Sequence, residues 1–175
     1  QLLHELQQQG QPFAGVVHLW SLDSETAENL DPTRLSADLR LTCGSVLNLV
    51  QAIAKAQLSV PPRLWLVSRG AVGAGSAGNG VTQASLWGMA RTLEREHPEL
   101  NCTRIDLDPT WDLARADGWR SLFAELNGSD REREIALRSG QRFVARLSAD
   151  ERSDATHTRL QLPEDLPFQL HSKRL

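Results

Sequence analysis

Apolar residues along the chain come in two kinds of pattern, short continuous runs and helical stripes, and they alternate. Gly15-Val-Val-His-Leu-Trp20 and Arg63-Leu-Trp-Leu-Val67 are continuous runs of strand length, the signature of parallel strands buried on both faces. Residues 101–107 read as a third strand, with Thr103, Ile105 and Leu107 alternating. Between the first two runs, residues 32–57 predict an amphipathic helix with a break near Arg40. Its face carries Leu39, Cys43, Val46, Leu47, Val50, Ile53 and Ala54 at three- and four-residue spacing, and Pro61-Pro62 stop it. A second helix is expected over residues 81–96, with Leu86, Met89, Ala90 and Leu93 as its core stripe, Asn79 as its N-cap and Pro98 beyond its end. A third, over residues 112–126, turns Trp119, Leu122, Phe123 and Leu126 inward and stops at Asn127-Gly128.

Residues 134–138 and 141–147 predict a hairpin across Ser139-Gly140. At the other end, Leu2, Leu3 and Leu6 space a short helix that Gly10 can close. From Ser148 onward the chain is polar, charged and without period, and reads as linker. The order of elements is α/β, and crossover rules then predict a parallel sheet with helices on both faces. Residues 1–147 form one domain in this reading, and 148–175 lead to whatever follows. The chain begins inside a helix, so it is expected to be a piece of something longer.

Composition narrows the function classes. With 175 residues, 40% hydrophobic and 23% charged, the chain has the make-up of an ordinary globular domain with a sizeable core. A net charge of −3 offers no footprint for nucleic acid, and no apolar run reaches the roughly 20 residues of a membrane span. Cys43 and Cys102 stand in separate elements without partner spacing, as core residues of a reducing, cytoplasmic protein do. Tyrosine is absent altogether.

The densest candidate chemistry is the glycine-rich stretch at residues 70–80. Gly73, Gly75 and Gly78 spell G-x-G-x-x-G between a strand and a helix, the context of a dinucleotide-binding fingerprint. A working fingerprint has an acidic residue about 20 positions further on to hold ribose hydroxyls. Here the next strand ends at Asp106 and Asp108, well past that distance, and the loop follows the second strand of the chain, not the first. A glycine-rich joint without a cofactor accounts for it as well.

Other candidates are thinner. His18 sits in an apolar strand and reads as a core histidine, and Asp23 as a cap. Ser68 follows a strand without an elbow motif around it, and Asp106 and Asp108 terminate a strand. The five tryptophans are too dispersed for a stacking platform. Arg131, Arg133, Arg138, Arg142 and Arg146 read as the solvated face of the hairpin.

Several phrases together resemble short-chain dehydrogenases, and within them the ketoreductase region of modular type I polyketide synthases. They are residues 15–23, 64–71 and 83–98, then Arg104-Ile-Asp-Leu-Asp-Pro109, Glu134-Ile-Ala-Leu-Arg138 and Arg142-Phe-Val-Ala-Arg-Leu147, in the family's order. The wording is similar to the truncated, non-catalytic structural half of that region, which accompanies an NADPH-binding catalytic half. The resemblance aligns Asn79 with the catalytic Tyr, Gln83 with the Lys four residues later, and Ser68 or Arg69 with the catalytic Ser. An active reductase uses that Tyr as general acid, and neither amide can replace it. Trp20-Ser21 stands where active members have a small Ala-Gly step, and residues 1–13 hold no phosphate loop. Gly73, Gly75 and Gly78 then match the fingerprint by coincidence.

The resemblance therefore implies a chain that binds no cofactor or metal and has no catalytic residue. Its expected partners are the catalytic ketoreductase half, the adjacent synthase domains and the acyl carrier protein of the parent enzyme. Two other functions stay open: an active NAD(P)H oxidoreductase using the Gly73–Gly78 loop, and a docking module for a neighbouring methyltransferase or enoyl reductase.

Overall fold

The computed structural model describes residues 5, 14–24, 29–74, 78, 80–112 and 116–147, without the side chains of 116–118. The expected N-terminal helix and the stretch after Leu147 lie outside these residues. The chain divides into two units, Gln1–Ala145 and Arg146–Leu175, and the fold described is that of the first.

Five strands form one sheet: β1 (Gly15–His18), β2 (Arg63–Arg69), β3 (Thr103–Leu107), β4 (Glu134–Arg138) and β5 (Gln141–Val144). They lie side by side in sequence order; β1 to β4 are parallel, and β5 returns antiparallel through the expected hairpin. Helix α1 (Pro32–Leu39) and helix α2 (Ser45–Ala56) connect β1 to β2, α3 (Val81–Glu96) connects β2 to β3, and α4 (Ala116–Leu126) connects β3 to β4.

Strand β2 shows how both faces are used. Leu64 and Leu66 pack with Val46, Val50 and Ile53 of α2 and with Leu86, Ala90 and Leu93 of α3. The alternating Trp65 and Val67 pack on the opposite face with Ile105, Leu107 and Leu122 of α4. The strands advance in one direction throughout, so the third crossover has the opposite hand to the first two. Right-handed crossovers alone would have put every helix on one face. Coverage of both faces, which the sequence predicts, thus rests on a change of hand.

Four local expectations are corrected. The break near Arg40 is a π-helical turn, Arg40–Gly44, between α1 and α2. Its extra residue rotates the stripe, so Val46, Val50 and Ile53 are buried while Leu47 is 47% exposed. Helix α3 is preceded by Gly80 as N-cap, with no side-chain cap bond, in place of Asn79, which lies outside the described residues. Strand β3 is buried at every position, Arg104 and Asp106 included, because helices cover both its faces. Of the four α4 residues expected inside, Leu122 is buried and Leu126 half-buried; Trp119 is exposed and Phe123 is 69% exposed, over the margin of the sheet beside Val17 and Leu19.

Candidate functional site

The C-terminal ends of β2, β3 and β4 bring together residues far apart in sequence. In register, Ser68 lies beside Asp106, and Asp106 beside Ala136. Ser68 is fully buried. Its hydroxyl donates to Asp106 Oδ1 at 2.6 Å and accepts from Trp87 Nε1 of α3 at 2.9 Å. Asp106, at 0% exposure, also receives the backbone N–H groups of Ala71 (2.9 Å, Oδ1) and Val72 (3.2 Å, Oδ2). Arg138 completes the cluster at 6% exposure: Nη2 donates to Asp106 Oδ2 at 2.5 Å and to the Val72 carbonyl at 2.8 Å, and Nη1 to the Asp106 carbonyl at 2.9 Å. A buried carboxylate is thereby matched by a guanidinium and by N–H and O–H donors, as burial of charge demands.

Gln83 is also buried, and its Oε1 accepts from the Arg69 N–H at 2.7 Å, tying the first turn of α3 to the end of β2. The described part of the glycine-rich connection closes on itself. Gly70 takes φ 68°, its N–H donates to Leu107 O at 3.0 Å, and Gly80 N–H donates to Gly70 O at 2.9 Å. A Cβ on Gly78 would meet Gly70 O at 2.7 Å, and one on Gly80 would meet Arg69 O at 2.6 Å. The missing side chains make room for the connection's own backbone.

A dinucleotide diphosphate needs loop N–H groups aimed outward at it. The N–H groups of Ala71 and Val72 are already held by the Asp106 carboxylate, and the described strands follow sequence order without the reversal that opens a binding crevice. These residues do not fit a diphosphate. Of the fingerprint glycines, Gly73 is exposed, Gly78 lies against Gly70, and Gly75 is outside the described residues, as is Asn79. Chemically, the cluster has no solvent-facing nucleophile or acid: the Ser68 proton points at a carboxylate and its lone pair at an indole.

The remaining candidates are placed elsewhere. His18 is buried, its Nε2 lies 2.7 Å from Ser45 Oγ, and its Nδ1 has no partner. Burial holds its pKa below the ordinary histidine value. Trp20 stands edge-on to it at 5.5 Å and is exposed, while the adjacent Ser21 hydroxyl donates to Val67 O. Asp23 is exposed at the end of a 3₁₀ turn, Trp20–Asp23, which Ser24 closes; residues 25–28, which it would cap, lie outside the described residues. Asp108 is separate from Asp106; it accepts from Thr110 and from the Ser139 N–H, and the Thr110 hydroxyl foremost keeps its carboxyl below the usual range. Burial pushes the Cys102 thiol up to about 11, whereas Cys43 is half-buried beside Ser85 Oγ at 3.2 Å. Among the described residues, no group of His, Cys, Asp and Glu has the geometry to hold a metal, and no helix is long and apolar enough to cross a membrane.

Sequence reasoning missed the Asp106–Arg138 tie, reading Asp106 as a strand end and Arg138 as solvated. The available signal was an acid set between Ile105 and Leu107 in a strand of otherwise core residues. Arg104, two residues before Asp106 and also buried, pairs with Glu94 (2.9 Å) and Glu134 (3.1 Å) toward the other end of the sheet. Glu134 in turn binds Arg91, and Glu94 binds Arg133.

Comparison with known proteins gives a consistent picture. A family model described as the Rossmann fold domain of polyketide synthase extender module SpnB matches residues 2–147. Polyketide synthase GfsB of Streptomyces halstedii is 36% identical over 149 residues, 78% of this chain and 2% of that protein. A phenolphthiocerol/phthiocerol polyketide synthase of Mycobacterium tuberculosis is 42% identical over 107 residues, 58% of this chain and 4% of that protein. The chain thus spans a few per cent of the curated relatives it matches. Among solved structures, a C2-type ketoreductase from a modular polyketide synthase superposes with a TM-score of 0.61 at 30% identity, covering 82% of this chain and 29% of the other.

Proposed function

Because the chain belongs to the family of Rossmann fold domains of polyketide synthase extender modules, we propose that it serves as a non-catalytic structural subdomain. It is a Rossmann-like fragment of a ketoreductase region, related to parts of multifunctional polyketide synthases. In this reading it packs against an NADPH-dependent catalytic half in the same polypeptide, holds that half in place and spaces the neighbouring domains. Residues 148–175 serve as the linker to the following reductase domain. The acyl carrier protein belongs to the parent enzyme's cycle and visits the catalytic half, in the cytoplasm.

One observation carries the proposal. At the positions that the ketoreductase resemblance assigns to catalytic Ser and Lys, Ser68 and Gln83 are buried and bonded to their own protein, Ser68 to Asp106 and Trp87, Gln83 to the Arg69 N–H. No tyrosine exists to act as general acid. Ser68 and Gln83 instead tie α3 to the end of β2.

Titration of the 175-residue chain with NADPH, followed by nicotinamide fluorescence, tests this. We expect no saturable binding and no reduction of a β-ketoacyl thioester. Saturable binding at micromolar NADPH overturns the proposal and restores the oxidoreductase reading.

A further inference from the structure

Four donors from three parts of the chain converge on the two oxygens of Asp106. Ser68 Oγ at the end of β2 and the Ala71 N–H reach Oδ1; the Val72 N–H and Arg138 Nη2 of β4 reach Oδ2. None of the donors belongs to β3, which supplies the carboxylate. The donor set is held in place by bonds that do not involve the Asp106 side chain: Trp87 Nε1 on Ser68 Oγ, Arg138 Nη2 on Val72 O and Gly70 N–H on Leu107 O. This is the construction of a receptor for a planar anion, with one cation and three neutral donors.

We propose that these groups form a carboxylate-binding site, that Asp106 is its resident ligand, and that a chain lacking this side chain's carboxylate takes up a small free carboxylate in its place. The site is anionic-ligand chemistry at the start of the glycine-rich connection, and its occupancy fixes the path of residues 70–72. Formate matches the group removed by Asp106→Ala in size, planarity and charge. Tetrahedral phosphate exceeds it in size and number of oxygens, and chloride, a single atom, cannot meet both the Oδ1 donors and the Oδ2 donors. The proposal does not rest on the non-catalytic reading: NADPH binding by the wild-type chain would leave it intact.

The test is thermal unfolding of the Asp106→Ala chain with formate, phosphate or chloride at matched ionic strength. We expect a melting temperature below wild type that rises saturably with formate, rises no more with phosphate than with chloride, and shows no formate-specific rise in wild type or in Asp106→Ala/Arg138→Met. A folded Asp106→Ala chain that responds alike to formate and chloride overturns the proposal, and so does a saturable phosphate response exceeding that to formate. Should Asp106→Ala not fold, Asp106→Asn decides by hydrogen exchange. The Ala71 and Val72 amides should exchange about tenfold faster or more than in wild type, as loss of a charged acceptor dictates. Exchange at the wild-type rate would show that the carboxylate is not what holds them.

Discussion

Two ion networks share one face of β3, and the difference between them separates what holds the chain's path from what trims its surface. Toward the C-terminal end, Asp106 and Arg138 are at 0% and 6% exposure, and both oxygens of the carboxylate are matched by donors. Toward the N-terminal end, Arg104 is as deeply buried, but among the described residues its Nε and Nη1 both find no partner, against Nε alone in Arg138, and its carboxylates sit nearer solvent. The outermost member, Arg91, is 61% exposed. In the first network the charged groups fix backbone: Arg138 and Asp106 between them hold the N–H groups of residues 71 and 72 and the carbonyl of residue 72. In the second, side chains hold side chains. A buried carboxylate with both oxygens matched specifies geometry, and removing its cation leaves an uncompensated charge; charge near the surface exchanges readily with water.

The largest effect should come from Arg138→Met. It leaves the Asp106 carboxylate buried without its cation, a loss of about 3–5 kcal/mol. In urea unfolding of the chain, this appears as a lowered midpoint at unchanged slope. Asp106→Asn/Arg138→Met removes both charges and should cost less than Arg138→Met alone, because no bare charge is left inside. If the double variant were the less stable, the neutral donors alone would be supporting the buried carboxylate, and the contrast between the two networks would have to be redrawn.

An intermediate effect, and one with a pH signature, belongs to Glu134. The hydrogen bond from Arg91 foremost, then the charges of Arg104 and Arg91, hold its carboxyl below the usual glutamate range against the opposing effect of burial. Its folded pKa lies below its unfolded one, so the unfolded state takes up the proton first as acid is added. The stabilisation is therefore fully present above the unfolded value of about 4.3 and is lost as pH falls through the lower folded value. Glu134→Gln should cost about 1.5 kcal/mol at neutral pH, the low end for hydrogen bonds to charged groups. The gap between wild type and variant should then narrow steadily below pH ~4.3. A gap that widens in acid would mean that the sign of the shift is wrong.

How much of this was legible beforehand follows from what each signal reports. The apolar runs at Val16–Val17 and Leu64–Val67 located β1 and β2; β2 is covered on both faces and so must be apolar at nearly every position, whereas Val17 of β1 is exposed. Ser139-Gly140 located the hairpin, because both residues take positive φ there, 46° and 78°. Periodicity says which residues face inward but not what they face. It therefore placed Trp119 and Phe123 inside when α4 runs past the margin of the sheet, and it could not register the π turn that moves Leu47 outward. The candidate site was half legible. Ser68 and Gln83 were found through the resemblance, but their partners were not. Asp106 and Arg138 meet only because β3 and β4 are neighbours in register, and a crossover of 11 helical residues between them carries no trace of that pairing.

The smallest effect sharpens the comparison most, because it isolates exposure. Arg91 makes a two-pronged contact with Glu134, Nε to Oε1 at 2.7 Å and Nη2 to Oε2 at 3.1 Å, where Arg138 reaches the Asp106 carboxylate through Nη2 alone. Its surroundings work against it: Arg104 already shares the same carboxylate, and water reaches the guanidinium. Arg91→Ala should therefore cost only about 0.2–1 kcal/mol. Most of that should vanish in 1 M salt, where the screening length falls from about 10 Å to about 3 Å. The cost of Arg138→Met should change far less in the same salt, since a buried pair is screened much less than an exposed one. Equal salt sensitivity of the two variants would mean that hydrogen-bond geometry, not burial, sets the value of an ion pair on this sheet.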